Sequence, residues 1–175
     1  MPSHADNFMK LENRHILVFG VANKRSVAYV TAKALAECGA DVTYAVRDAE
    51  TEEKCRRLLG DDARIFVCDL RKDEDIQALH EAVKALGKPV QGILHSVAFA
   101  KYSQGFGPFH ETERSDFLEA MDVSMFSLVR ICNVFRDLLS NDAAIVTISI
   151  STTRMAAQNY GYMGPIKAAL DSAVA

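Results

Sequence analysis

Tyr160 and Lys167 stand seven residues apart in the segment Tyr160-Gly161-Tyr162-Met163-Gly164-Pro165-Ile166-Lys167. A phenol beside an ammonium can donate to an oxygen on which charge develops, because the cation favours the more acidic form of the phenol. In a helix, positions seven apart lie on nearly one face, so both side chains could converge on one ligand. Pro165 must then fall within the first turn, where its missing N–H is harmless, and Tyr160 stands at or just before the helix start. Read alone, the pair also fits an interfacial aromatic and a surface cation.

A second constellation lies near the other end. The run His15–Phe19 reads as a strand and leads into Gly20-Val21-Ala22-Asn23-Lys24-Arg25-Ser26-Val27-Ala28, a turn that opens a helix. Backbone N–H groups at a helix start favour phosphate, and Gly20 allows a tight turn between strand and helix. Ser26 could both cap the helix and touch a pyrophosphate. The run lacks the second and third glycines of G-x-G-x-x-G, so an ordinary strand-to-helix turn with a serine cap is the alternative.

The elements that must position these residues follow a βαβ rhythm. Strand-like runs at His15–Phe19, Asp41–Ala45, Arg64–Val67, Gln91–Ser96 and Ala144–Ser149 alternate with helical segments. The helices are read at Ser26–Glu37, Glu50–Leu59, Lys72–Leu86, Arg114–Leu139 and from about Tyr160 onward, with Gly39 and Gly87 as C-terminal stops. Runs such as Ile16-Leu17-Val18-Phe19 and Ala143-Ala144-Ile145-Val146 suit strands covered on both faces. The expected fold class is α/β: a Rossmann-type doubly wound parallel sheet in the order 3-2-1-4-5, with helices on both faces. Tyr102 to Thr112, rich in glycine and aromatic residues, reads as a long loop near the site. The final residues Ala168 to Ala175 are apolar and carry no helix stop, which predicts a fold truncated after the Lys167 helix.

Composition bounds the function classes. The 175 residues are 49% hydrophobic with a mean hydropathy of zero, which predicts a single domain over 1–175 behind an N-terminal tail at 1–10. The net charge of −3 comes from interspersed acids and bases, which argues against nucleic acid as a partner. Cys38, Cys55, Cys68 and Cys132 form no C-x-x-C pair, so neither zinc nor a disulfide framework is expected. The tail has no continuous apolar run, so no signal, no membrane span and a cytoplasmic location are expected. None of the five histidines is assigned to chemistry or metal, and His95 reads as a structural hydrogen-bonding residue.

The loop Gly20 to Ala28 closely resembles the divergent cofactor loop of the bacterial enoyl-acyl carrier protein reductases, a branch of the short-chain dehydrogenase/reductase superfamily. By that resemblance Gly20, Ser26 and Val27 would contact the pyrophosphate of NADH or NADPH. Arg47 in Val46-Arg47-Asp48 would meet the adenosine ribose, where it favours a 2′-phosphate while Asp48 and Glu50 repel one. Asp69 and Leu70 would hold adenine, although Asp69 also reads as a helix cap near Lys72. In His95-Ser96-Val97-Ala98-Phe99-Ala100, which is similar to the family pattern, Val97 would flank the nicotinamide and Ala100 would border the acyl thioester.

The same resemblance gives Tyr160 and Lys167 their roles. In the common short-chain dehydrogenase pattern the tyrosine precedes its lysine by four residues, but that position here is Met163. A ketone takes hydride and proton on one carbonyl, whereas an enoyl thioester takes hydride at the β-carbon while charge develops on the more distant carbonyl oxygen. A donor set back by about 4.5 Å, three residues at 1.5 Å each, suits that oxygen. Tyr160 would thus contact substrate and stabilise the enolate, and Lys167 would bind the nicotinamide ribose. Many of these reductases carry a further tyrosine ten residues before the first, where this chain has Ile150; Ser149, Ser151, Thr152 and Thr153 nearby read as strand end and turn. The resemblance implies reduction of an acyl-carrier-protein-linked enoyl substrate by a homotetramer. Phe117, Met121, Met125, Leu128 and Cys132 fit either its interface or ordinary core. A reductase of another carbonyl or enoyl substrate, or a cofactor-binding homologue without turnover, are the rivals.

Overall fold

The computed structural model describes residue 9, residues 11–150 and residues 160–175. The rest of the N-terminal tail, and Ser151, Thr152 and Thr153, lie outside the described residues. The chain divides into two compact units, Met1–Ser96 with Val134–Thr147, and Val97–Asn133 with Ile148–Ala175.

The first unit holds a five-stranded parallel sheet in the order β3-β2-β1-β4-β5, as the βαβ rhythm predicts. Its strands are β1 His15–Phe19, β2 Asp41–Val46, β3 Arg64–Val67, β4 Val90–His95 and β5 Leu139–Thr147. The central strand β1 is buried throughout, Leu17 and Val18 completely, because an inner parallel strand has neighbours on both edges and cover on both faces. Helix α1, Val27–Glu37, seats Ala28 and Ala32 without exposed surface. Helices α2, Ala49–Leu59, and α3, Asp73–Lys84, make the next two crossovers. Asp48 caps α2 through the Thr51 N–H at 2.8 Å.

β5 departs from the predicted strand at both ends. The apolar run before it reads as helix to Leu139, but the helix ends at Phe135 and pairing starts at Leu139, opposite Val90. Tertiary bonds decide this: the Val90 N–H donates to the Leu138 carbonyl at 2.8 Å, and His80 Nε2 meets Asp137 Oδ1 at 2.8 Å. A register shift between Val90 and Gly92 marks where the early pairing joins the regular ladder. β5 stands at the edge of the described sheet, and Val146 on it is 53% exposed.

The second unit is helical. Its longest helical stretch, whose last two residues Val134 and Phe135 belong to the first unit, has three parts: α4 Arg114–Met121, a π turn Asp122–Phe126, and α5 Ser127–Phe135. Helix α6, Met163–Val174, packs Met163 and Ile166 with Ala120 and Tyr162 into a core. Phe117, Met121 and Met125 are partly buried against that core, Leu128 is 5% exposed, and Cys132 is half-buried.

His15 gives the first unit a pH dependence. The ring is completely buried, with Nε2 2.9 Å from Thr43 Oγ1, and its pKa is lowered to about 4, foremost by burial and then by Lys88 and Arg64. Between pH 4 and 6.5 the unfolded chain binds the proton that the folded chain refuses, so stability falls as pH falls through that window. The loss should reach on the order of 3 kcal/mol, and urea unfolding of His15→Gln should show a correspondingly flatter pH dependence than wild type.

Candidate active site

The turn after β1 is built around Gly20 and Ser26. Gly20 has φ +95°, and a Cβ there would sit 1.9 Å from the Ser96 carbonyl oxygen, while the Ser96 N–H donates to the Phe19 carbonyl at 3.2 Å. The glycine is therefore required by the meeting of the β1 and β4 ends as well as by the turn. Ser26 is the N-cap of α1: its Oγ accepts from the Tyr29 N–H at 3.4 Å and donates to the Asn23 carbonyl at 2.7 Å. The next amides, of Val27 and Ala28, have no acceptor among the described residues, and the Val27 side chain is half-exposed. Lys24 and Arg25 are exposed beside them. An N-terminus with open N–H groups and nearby cations fits a pyrophosphate.

Arg47 and Asp69, expected at the adenosine end, both have partners within the protein. Arg47 Nε donates to Asp48 Oδ2 at 2.8 Å, the carboxylate that also caps α2. The Asp69 carboxylate takes Arg71 Nη2 at 2.6 Å and Nε at 2.9 and 3.1 Å, and Arg71 holds its pKa low. Asp69 is not a side-chain cap of α3, whose N-cap is Lys72. Leu70 is buried beside it. His95 is completely buried at the end of β4, with Nδ1 2.9 Å from Thr147 Oγ1.

In the second unit, Lys167 is 2% exposed, and its ammonium donates to the carbonyls of Val97 at 2.9 Å and Ile148 at 2.8 Å. Burial lowers its pKa, opposed by Asp171 one turn later. Among the described residues two of the three ammonium protons are thus committed, and one is left for a ligand. α6 starts at Met163 with Pro165 in its first turn, so Tyr160 precedes the helix and is 38% exposed. Tyr160 and Lys167 therefore do not share a helix face, because only Lys167 lies on the helix.

Val97 to Lys101 runs without secondary structure, and every second residue is held by a side chain. Lys167 takes the Val97 carbonyl. Ser124, on the π turn, accepts from the Phe99 N–H at 2.8 Å and donates to the Phe99 carbonyl at 3.0 Å. The Tyr162 hydroxyl accepts from the Lys101 N–H at 2.8 Å and donates to the Lys101 carbonyl. Between the clamped residues, Ala98 and Ala100 are exposed. Asp116, 2% exposed, accepts from the Ser103 N–H at 2.6 Å and anchors the following loop. Sequence reasoning missed Ser124, Tyr162 and Asp116; for Ser124 and Asp116 the available signal was a polar residue amid the apolar positions of a helical stretch, whereas Tyr162 precedes α6 and carried no such signal.

Residues 20–175 match the family model described as Enoyl-(Acyl carrier protein) reductase. The chain belongs to this enoyl reductase family. It is 35% identical over 166 residues to the enoyl-acyl-carrier-protein reductase (NADH) FabI of Enterococcus faecalis, covering 95% of this chain and 66% of that protein. The corresponding reductase of Staphylococcus aureus, named for NADPH, is 33% identical over 171 residues, again covering 95% and 66%. The crystal structure of the Aquifex aeolicus reductase (NADH) superposes with a TM-score of 0.88 at 32% identity, covering 94% of this chain and 66% of that one. The chain thus spans just under two thirds of the length of these family members.

Among the described residues of this enoyl reductase family member, no cluster of three or more His, Cys, Asp or Glu could hold a metal. No helix is long and apolar enough to cross a membrane.

Two substitutions test the architecture of the site. Gly20→Ala forces a side chain onto the Ser96 carbonyl at positive φ and should cost roughly 3 kcal/mol or more in urea unfolding, or prevent folding. Ser124→Ala leaves the Phe99 N–H and carbonyl without their partner at a fully buried position, and should lower the unfolding free energy by about 1–3 kcal/mol.

Proposed function

We propose that this chain belongs to an NADH- or NADPH-dependent enoyl-acyl carrier protein reductase of fatty acid synthesis, with residues 1–175 acting as one dinucleotide-binding domain. The observation that carries the reading is the buried Lys167 ammonium, held by two carbonyls with one proton to spare, seven residues after the exposed Tyr160 in a chain of this family. The bound nicotinamide would supply hydride to the β-carbon of a trans-2-enoyl thioester. Tyr160 donates to the thioester oxygen as enolate charge develops there. Lys167 binds the ribose hydroxyls and, as a cation, eases donation by the phenol. Val97, fixed through its carbonyl, flanks the nicotinamide, and Ala100 borders the acyl thioester.

Gly20, Ser26 and Val27 receive the pyrophosphate, while Asp69 and Leu70 receive adenine once the carboxylate is shared between Arg71 and the ligand. Arg47 meets the ribose, and its pairing with Asp48 is consistent with either cofactor, as are the NADH and NADPH of the relatives' names. A homotetramer is supported by exposed apolar side chains on one helical stretch, Leu118, Phe126 and Val129, each more than 40% exposed. The carrier-protein-linked substrate and a cytoplasmic setting complete the reading, the latter in keeping with four free cysteines.

The test follows absorbance at 340 nm with crotonyl and longer enoyl thioesters, comparing NADH with NADPH and wild type with Tyr160→Phe. Wild type should oxidise one cofactor in a substrate-dependent way, and Tyr160→Phe should lower kcat about 10²-fold or more with cofactor affinity little changed. Cofactor binding without oxidation at any chain length would favour a homologue without turnover.

A further inference from the structure

The aromatic cluster around Gly161 holds two phenols besides Tyr160, and their hydroxyls are used differently. Tyr162 is 1% exposed, and its hydroxyl is committed to the Lys101 N–H and carbonyl. The Tyr102 hydroxyl makes no hydrogen bond among the described residues, although its ring is fixed against Phe106 and Tyr162 at centroid distances of 5.1 and 4.9 Å. That hydroxyl is seated on Gly161: a Cβ there would lie 2.8 Å from Tyr102 Oη, and Gly161 has φ +50°. The glycine that follows Tyr160 thus lets the Tyr102 phenol and the Phe106 ring, whose nearest carbon would lie 3.3 Å from such a Cβ, pack close against the backbone.

We propose that Tyr102 is a second phenolic donor of the reduction site, hydrogen-bonding the thioester oxygen together with Tyr160; this rests on the reductase reading above. An oxygen that gains charge attracts more than one donor, and a donor already held by its ring packing needs no reorganisation when the charge appears. Tyr102 follows Ala100, the residue bordering the thioester in that reading, by two positions. Burial first, and the Tyr160 phenol second, raise the Tyr102 pKa, so the phenol stays protonated and able to donate at neutral pH.

Tyr102→Phe removes only the oxygen and keeps the ring contacts. In the full chain it should leave the melting temperature and cofactor Kd nearly unchanged, and lower kcat for an enoyl thioester at least about tenfold. Gly161→Ala, which displaces the hydroxyl, should reproduce the loss. A Tyr102→Phe variant within about twofold of wild-type kcat overturns the proposal. A readout independent of turnover uses fluorotyrosine-labelled protein, whose five tyrosines give five ¹⁹F signals. The Tyr102 signal should shift in Tyr160→Phe, and an unmoved signal overturns the pairing of the two phenols. Wild-type protein that turns over no enoyl thioester overturns the reductase reading itself, whereas wild-type turnover with an unaffected Tyr102→Phe overturns only the second donor.

Discussion

A buried ammonium is tolerated only when backbone or counter-charge replaces its water, and the second unit is arranged around one that is hydrogen-bonded by backbone carbonyls with Asp171 nearby. Lys167 reaches the carbonyls of Val97 and Ile148, so one side chain fixes two chain segments to α6. Desolvation presses its pKa down while the two carbonyls and Asp171 favour the charged form. That balance leaves a cation with one free proton, aimed by its own anchoring rather than by a flexible stem.

The clamps along Val97 to Lys101 extend the same logic. An extended segment without a strand partner must satisfy its backbone elsewhere, and here Lys167, Ser124 and Tyr162 stand in for a neighbouring strand at alternate residues. The π turn that carries Ser124 gives up regular helical bonding over Asp122–Phe126. The two hydrogen bonds between Ser124 and Phe99, one donated in each direction, offset that loss and set where the exposed Ala98 and Ala100 stand.

In the first unit the same economy of local partners appears at charged residues. Asp48 serves α2 and Arg47 at once, and Arg71 folds back over Asp69. A ligand arriving at either carboxylate or guanidinium competes with a partner one or two residues away in sequence. Such short-range pairs keep the charges oriented and solvated at little entropic cost, because the groups are already tethered.

The strand order was legible because parallel strands joined by helices admit few topologies, and the apolar runs from His15 to Val67 marked their own positions. The serine cap of α1 and the place of Pro165 in the first turn of α6 follow from local backbone rules and were equally legible. The spacing of Tyr160 and Lys167 picked out two residues but not their geometry, since whether a tyrosine lies on a helix or before it depends on packing. The end of α5 was misread because Arg136, Leu138 and Leu139 are good helix formers until a distant strand, at Val90, offers hydrogen bonds. Sequence alone thus determined the periodicities, the caps and the chemistry-bearing residue types. Only tertiary structure decided which carbonyls receive Lys167, that Ser124 and Tyr162 hold the backbone before the loop, and that Gly161 seats Tyr102, because each joins residues far apart in the chain that no local rule brings together.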